Sequence, residues 1–93
     1  YRPKYFITSE GSNGTRNVTL LENSEIGTSV FYIHVTNTTT YIEHPNQTIL
    51  TLETTEGELE RIFTSKKGSI IEIEKISETE WLVKRSTGKW SHL

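Results

Sequence analysis

The side chains able to do acid–base or nucleophilic chemistry set the first boundary. The 93 residues carry three histidines and twelve glutamates, but no Cys and no Asp. A Cys nucleophile and an Asp-oriented triad are thereby excluded. A Ser-His-Glu arrangement is formally open on His34, His44 or His92. His34 falls in the middle of a predicted strand, His92 in the tail, and His44 in a loop between Glu43 and Pro45. Each reads as an ordinary surface or half-buried imidazole. No G-x-S-x-G, H-E-x-x-H, P-loop or G-x-G-x-x-G pattern occurs, so neither cofactor nor metal is expected.

Paired glutamates are the remaining acid–base candidates. Glu72 and Glu74 alternate with Ile71 and Ile73, and Glu78 and Glu80 flank the next turn. Glycosidases hold two carboxylates about 5–9 Å apart across a cleft. Alternation with isoleucine instead points Glu72 and Glu74 to solvent, where charge discourages edge-to-edge aggregation. The chain is therefore expected not to be an enzyme.

Binding chemistry has more to work with. Tyr41 and His44 in a polar loop, and Trp90 in the tail, can stack on a sugar face or a partner chain. The alternative for Trp90 is a tail that folds back against the domain. Four of the five asparagines head N-x-Thr triplets, at Asn13, Asn17, Asn37 and Asn46. In a eukaryotic secretory chain these would accept N-glycans. About a quarter of the residues are Ser or Thr, so chance supplies such triplets readily, and they are read as chance.

The scaffold that must position these groups is predicted from composition and alternation. Ala, the strongest helix former, is absent, while Thr, Ile and Val abound. Strands are predicted at 5–8, 18–21, 29–36, 48–54, 59–64, 69–76 and 79–85, with a further short one at Tyr41-Ile42. Within 29–36, Phe31, Ile33 and Val35 point one way and Tyr32 and His34 the other, where Tyr32 is available to cover a subunit interface. Leu50 and Leu52 share a face of the next strand, and Trp81 and Val83 are assigned to the core. The expected fold is all-β: a small antiparallel β-sandwich or barrel of about seven short strands. Residues 1–93 form one β domain, expected to belong to a longer chain because the sequence opens on Tyr1 and holds no Met.

Charge narrows the partners. The net charge is −2, with basic residues scattered, so no stripe matches a run of phosphates and nucleic acid is not expected. No apolar run approaches the ~20 residues of a membrane helix, so no membrane insertion is expected. A chain of this length hides only about 60–65 % of its unfolded surface, and it has neither disulfide nor metal in reserve. Apolar residues on both faces of its best strands point to a homo-oligomer.

The stretch Val18-Thr19-Leu20-Leu21-Glu22-Asn23-Ser24-Glu25-Ile26-Gly27-Thr28-Ser29-Val30 resembles cadherin repeats, which place Glu-Asn and Gly-Thr between two strands. In that family the Glu binds calcium beside several aspartates. With no Asp, Glu22 alone cannot supply six to eight oxygens, so the likeness implies a cell-adhesion-type sandwich of a glycoprotein without calcium sites. A second resemblance, over roughly residues 17–90, is to small β domains of bacteriophage tail or head fibres. It rests on Thr19-Leu20, Gly27-Thr28, the strand 48–52, Gly57, Gly68-Ser69 and Glu80-Trp81-Leu82-Val83, with Leu21 where such domains often have Pro. This resemblance implies a structural or adhesive domain at the virion surface or outside the cell. It also implies a trimer, other virion proteins as neighbours, and a host surface receptor or glycan as ligand.

Overall fold

The computed structural model describes residues 4–11, 14–20, 24–44, 48–51 and 61–92. These form nine strands and no helix: β1 (Lys4–Thr8), β2 (Arg16–Thr19), β3 (Ser29–Ile33), β4 (Thr40–Glu43), β5 (Thr48–Thr51), β6 (Arg61–Thr64), β7 (Ile70–Lys75), β8 (Glu80–Thr87) and β9 (Ser91–His92). Sheet A has the order β1-β3-β7-β8-β5, and sheet B the order β2-β4-β6-β9. The expected all-β sandwich is what the chain adopts.

The pairing adds a feature that alternation does not reveal. The centres of both sheets are antiparallel, through β3–β7, β7–β8 and β4–β6. The edges add in parallel, as β1–β3, β2–β4 and β5–β8. Parallel neighbours need a crossover. For β1–β3 and β2–β4 the crossover is the opposite sheet: the chain runs β1, β2, β3, β4 by switching sheets each time, so β3 returns beside β1 and β4 beside β2, whereas β5 and β8 are joined through β6 and β7. No helix is required for such a winding.

One core lies between the sheets. Val18, Leu20, Ile42 and Ile62 meet Val30, Tyr32, Ile71, Ile73, Trp81 and Val83, with Ile7 and Trp90 packed at the margin. In β7 the inward set is Ile71, Ile73 and the buried Lys75, while Glu72 and Glu74 face outward. β5 contributes Ile49, fully buried. The sequence placed Leu50 and Leu52 on one face there; the core side of β5 is Ile49, and Leu52 lies outside the described residues.

Two faces need correcting. Tyr32, expected opposite the core as cover for a partner, is wholly buried, whereas Phe31 and Ile33 are half-buried on the outer side of β3. A buried hydroxyl is costly unless paired. Tyr32 Oη lies 2.9 Å from both His34 Nδ1 and Thr40 Oγ1, which makes its burial tolerable. His34 and His44, expected at or near the surface, are both buried. His34 Nε2 donates to the Thr38 carbonyl, so the ring completes a short polar chain beside the core.

One buried hydroxyl has no such relief. Thr28 Oγ1, just before β3, is buried with no hydrogen-bond partner among the described residues. Thr28→Val keeps the branched shape and removes the orphaned group. We expect it to stabilise the domain by about 1 kcal/mol, raising the thermal midpoint by several degrees. A fall of similar size on calorimetry would show that the hydroxyl has a partner.

Candidate functional site

The outer faces of the two sheets carry the chemistry. On sheet A, a β-bulge on β8 sets the pattern. Glu72 pairs with Arg85 and Ile73 with Val83, so Lys84 is the extra residue. A bulge turns two consecutive side chains to one side of a strand. Lys84 and Arg85 therefore both reach the carboxylates of β7: Arg85 Nε is 3.0 Å from Glu72 Oε1, and Lys84 Nζ is 3.3 Å from Glu74 Oε1. These exposed pairs contribute at most about 1 kcal/mol each. Their consequence is electrostatic balance, since two acids and two bases cancel on this face.

Both carboxylates are thus held by bases on an open sheet surface, and neither faces the other across a cleft. Glu80 accepts a hydrogen bond from Ser77 Oγ at 3.0 Å, closing the β7–β8 turn. No group of three or more His, Cys, Asp or Glu residues among the described ones is placed to hold a metal ion. Glu22, the residue of the calcium reading, lies outside the described residues. No helix among the described residues is long and apolar enough to cross a membrane.

An aromatic row continues the same face to its edge. Phe6 of β1 is opposite Phe31 of β3, and Phe31 is opposite Glu72. The two phenyl rings stack at 5.4 Å with planes 15° apart. The Arg85 guanidinium lies 5.7 Å from the Phe31 centroid, so it caps the row while paired to Glu72. Phe6 is 69 % exposed and Tyr5 43 %, on a strand that forms the edge of sheet A among the described residues.

Sheet B carries a counterpart. Asn17, Tyr41 and Phe63 form one row across β2, β4 and β6. The Tyr41 and Phe63 rings are 5.1 Å apart, and Arg61 sits 4.5 Å over Tyr41 while reaching 3.9 Å toward Glu43. Both outer faces thus use an aromatic pair, an arginine on one ring and a glutamate holding that arginine. Sequence alternation locates these residues but not their register, which sets the pairs.

The expected binding residues are not brought together. Tyr41 lies in β4, where the short strand at Tyr41-Ile42 was expected, half-buried on the outer side of sheet B. His44 is buried just beyond the end of the same strand. Trp90 packs partly buried against the margin of the core. Its indole N–H is shared between the carbonyls of Ile70 and Thr87, each at 3.1 Å. Its ring meets Tyr32 edge-on at 6.1 Å. The tail therefore folds back, as the alternative for Trp90 anticipated. Of the four triplet asparagines, Asn17 and Asn37 are exposed, and Asn13 and Asn46 lie outside the described residues.

No sequence signal pointed to the buried polar cluster that seats Trp90. Thr64 Oγ1 donates to the Lys89 carbonyl at 2.6 Å and lies 3.1 Å from Ser69 Oγ, which in turn accepts from the Lys89 amide. Ser9 Oγ accepts from the Val35 amide at 2.8 Å, tying the end of β1 to the end of β3. These hydroxyls look like surface Ser and Thr in the sequence. No protein-family model, no curated protein and no solved structure matches the chain.

Proposed function

We propose that this chain is a non-enzymatic structural and adhesive module that associates with a second copy of itself through β1. The observation that carries the reading is the edge of sheet A among the described residues, β1, with Phe6 at its middle and 69 % exposed. Monomeric sheet proteins blunt such edges with Pro, a bulge or several charges. Among the described residues β1 has only Lys4 at its start and, at its end, the Arg16 guanidinium, which donates to the Thr8 carbonyl at 2.9 Å.

Self-pairing of one edge requires a two-fold axis and antiparallel strands. Centred on Phe6, it sets Tyr5 against the second copy's Ile7 and Lys4 against its Thr8, beside the Arg16 guanidinium that the Thr8 carbonyl holds. The balanced Glu72–Arg85 and Glu74–Lys84 pairs present no net charge to repel a second copy. A two-fold edge favours a dimer over the trimer that the fibre resemblance implies.

Area sets the strength. A covered aromatic side chain buries about 150–250 Å², so the exposed parts of Phe6 and Tyr5 give roughly 400 Å² per pair of chains. A stable interface needs about 1,200 Å² in total. Strand backbone, Ile7 and the Lys4 stem supply more, but the contact belongs to the weak class. Such a module multiplies a weak contact by repetition, as a virion fibre or a cell-adhesion array does.

Sedimentation velocity between about 1 and 500 μM tests this. The average mass of the wild-type domain is expected to rise from monomer toward dimer. Phe6→Lys, which removes little from the core, is expected to weaken association at least ~10-fold while leaving the far-UV spectrum unchanged. A wild-type chain that stays monomeric throughout, or a Phe6→Lys chain that still dimerises, contradicts the proposal.

A further inference from the structure

The outer face of sheet B points to a different kind of chemistry. We infer that Asn17 is an N-glycan acceptor whose first sugar packs on the Tyr41 ring. The inference goes beyond the association proposal and does not rest on it, because it concerns the other sheet.

The count of triplets revises their reading as chance. Thr makes up fifteen of the 93 residues, so about one of five asparagines would be followed two residues later by Thr at random, whereas four are. Both asparagines of these triplets that the structure describes, Asn17 and Asn37, are exposed. Exposure is what a bulky modification requires of the folded chain.

Asn17 has in addition a surface for the sugar. Val18 is buried, so strand alternation turns Asn17 and Thr19 outward together. Asn17 is directly opposite Tyr41 on the adjacent strand, one inter-strand spacing of about 4.8 Å away. β2 is the edge of sheet B among the described residues, so a glycan meets no neighbouring strand on its far side. Tyr41 is half-buried and held by Phe63 and by Arg61, which fixes its ring before any sugar arrives. The polar tip and apolar face of a tyrosine suit a sugar, which has hydroxyl edges and a C–H face. Asn37, by contrast, lies in the 36–38 bend, outside the strand rows.

The chemical step is a transfer from a lipid diphosphate-linked oligosaccharide. The Asn17 amide nitrogen forms a bond to the sugar C1 as the C1–O bond to the diphosphate breaks. The lipid diphosphate leaves, and the amide proton lost from nitrogen is taken up on its oxygen. No redox change occurs.

The test is production of the full chain through a eukaryotic secretory pathway, followed by glycopeptide mass spectrometry and thermal unfolding. Asn17 is expected to be occupied. Removing the glycan enzymatically is expected to lower the midpoint by roughly 3–6 °C. Asn17→Gln should reproduce that loss. Tyr41→Val should abolish the difference between glycosylated and deglycosylated protein, and Tyr41→Phe should keep it. Should Tyr41→Val fail to fold, upfield ring-current shifts of the first sugar's protons in the wild-type chain serve as the second readout. An unoccupied Asn17 overturns the inference. So does an occupied Asn17 whose sugar shows neither the Tyr41-dependent midpoint difference nor the ring-current shift.

Discussion

Trp81→Ala is expected to remove about 3–5 kcal/mol of stability, the usual range for deleting a fully buried Trp side chain. Trp81 is 0 % exposed, near the start of β8, where it stands between Lys75 of β7 and Ile49 of β5 in register. Three strands of sheet A therefore share its ring as packing surface. The Lys75 ammonium, on a buried side chain, lies 5.9 Å from the ring centroid. Removing the indole leaves a cavity and takes away the face against which that cation rests. Natural domains have about 5–15 kcal/mol in total, and a 93-residue chain without disulfides belongs near the lower end. Urea unfolding should show the variant largely unfolded at 37 °C, with Trp81→Phe intermediate. A loss under about 1 kcal/mol would mean that Trp81 is not the centre of the core.

Gly88→Ala is expected to cost about as much for a different reason. Gly88 has φ of +86°, a left-handed conformation that an L side chain adopts at a cost of about 1–2 kcal/mol. A Cβ added there would lie 2.5 Å from Ser69 Oγ and 2.7 Å from Ser69 Cα. The second contact is with backbone, so no rotamer change relieves it. Ser69 is wholly buried and holds Thr64 and the Lys89 amide, so displacing it unseats the segment that carries Trp90. Overpacking of this kind adds about 1–3 kcal/mol. Gly68 gives the internal control. Its φ is +93°, but a Cβ there meets nothing within 4 Å. Gly68→Ala should therefore carry the conformational cost alone. Equal losses for the two substitutions would show that the Ser69 contact is relaxed elsewhere.

Much of the strand content was legible because side-chain alternation is strong where Ile and Val face Glu and Lys. β7 reads directly from Ile70-Ile71-Glu72-Ile73-Glu74-Lys75, and Trp81 and Val83 fell correctly in the core. β4 was legible only at Tyr41-Ile42, and β9 was read as tail, because Thr40 and Ser91 carry little apolar contrast. Alternation also fixes which residues share a face without saying which face is inside. That ambiguity misplaced Tyr32, whose hydroxyl becomes compatible with the core only once His34 and Thr40 are known to meet it. The parallel edges were hidden because a strand's pattern is the same whichever way its neighbour runs. The bulge at Lys84 was hidden too, since one extra residue among exposed polar ones leaves no mark in hydropathy.

For the candidate site, the outward glutamates were legible, but their partners were not, because Lys84 and Arg85 would alternate faces in a regular strand. Tyr41 was legible as the start of a short strand, but its row with Asn17 and Phe63 depends on register. Trp90 was legible as aromatic area, while its seat, built from Ser69, Thr64 and Gly88, depends on contacts about twenty residues distant in sequence.

The central claim is that the β1 edge is where two copies meet. Hydrogen–deuterium exchange of the 4–8 amides, read at about 5 μM and again at about 500 μM, tests it most directly. Edge pairing predicts that the alternate amides facing away from β3 exchange freely in dilute solution and become protected when concentrated, while those bonded to β3 are protected throughout. Amides of β7, already bonded on both sides, should change little. Exchange of the 4–8 segment that is the same at both concentrations, with the domain folded throughout, would contradict the account.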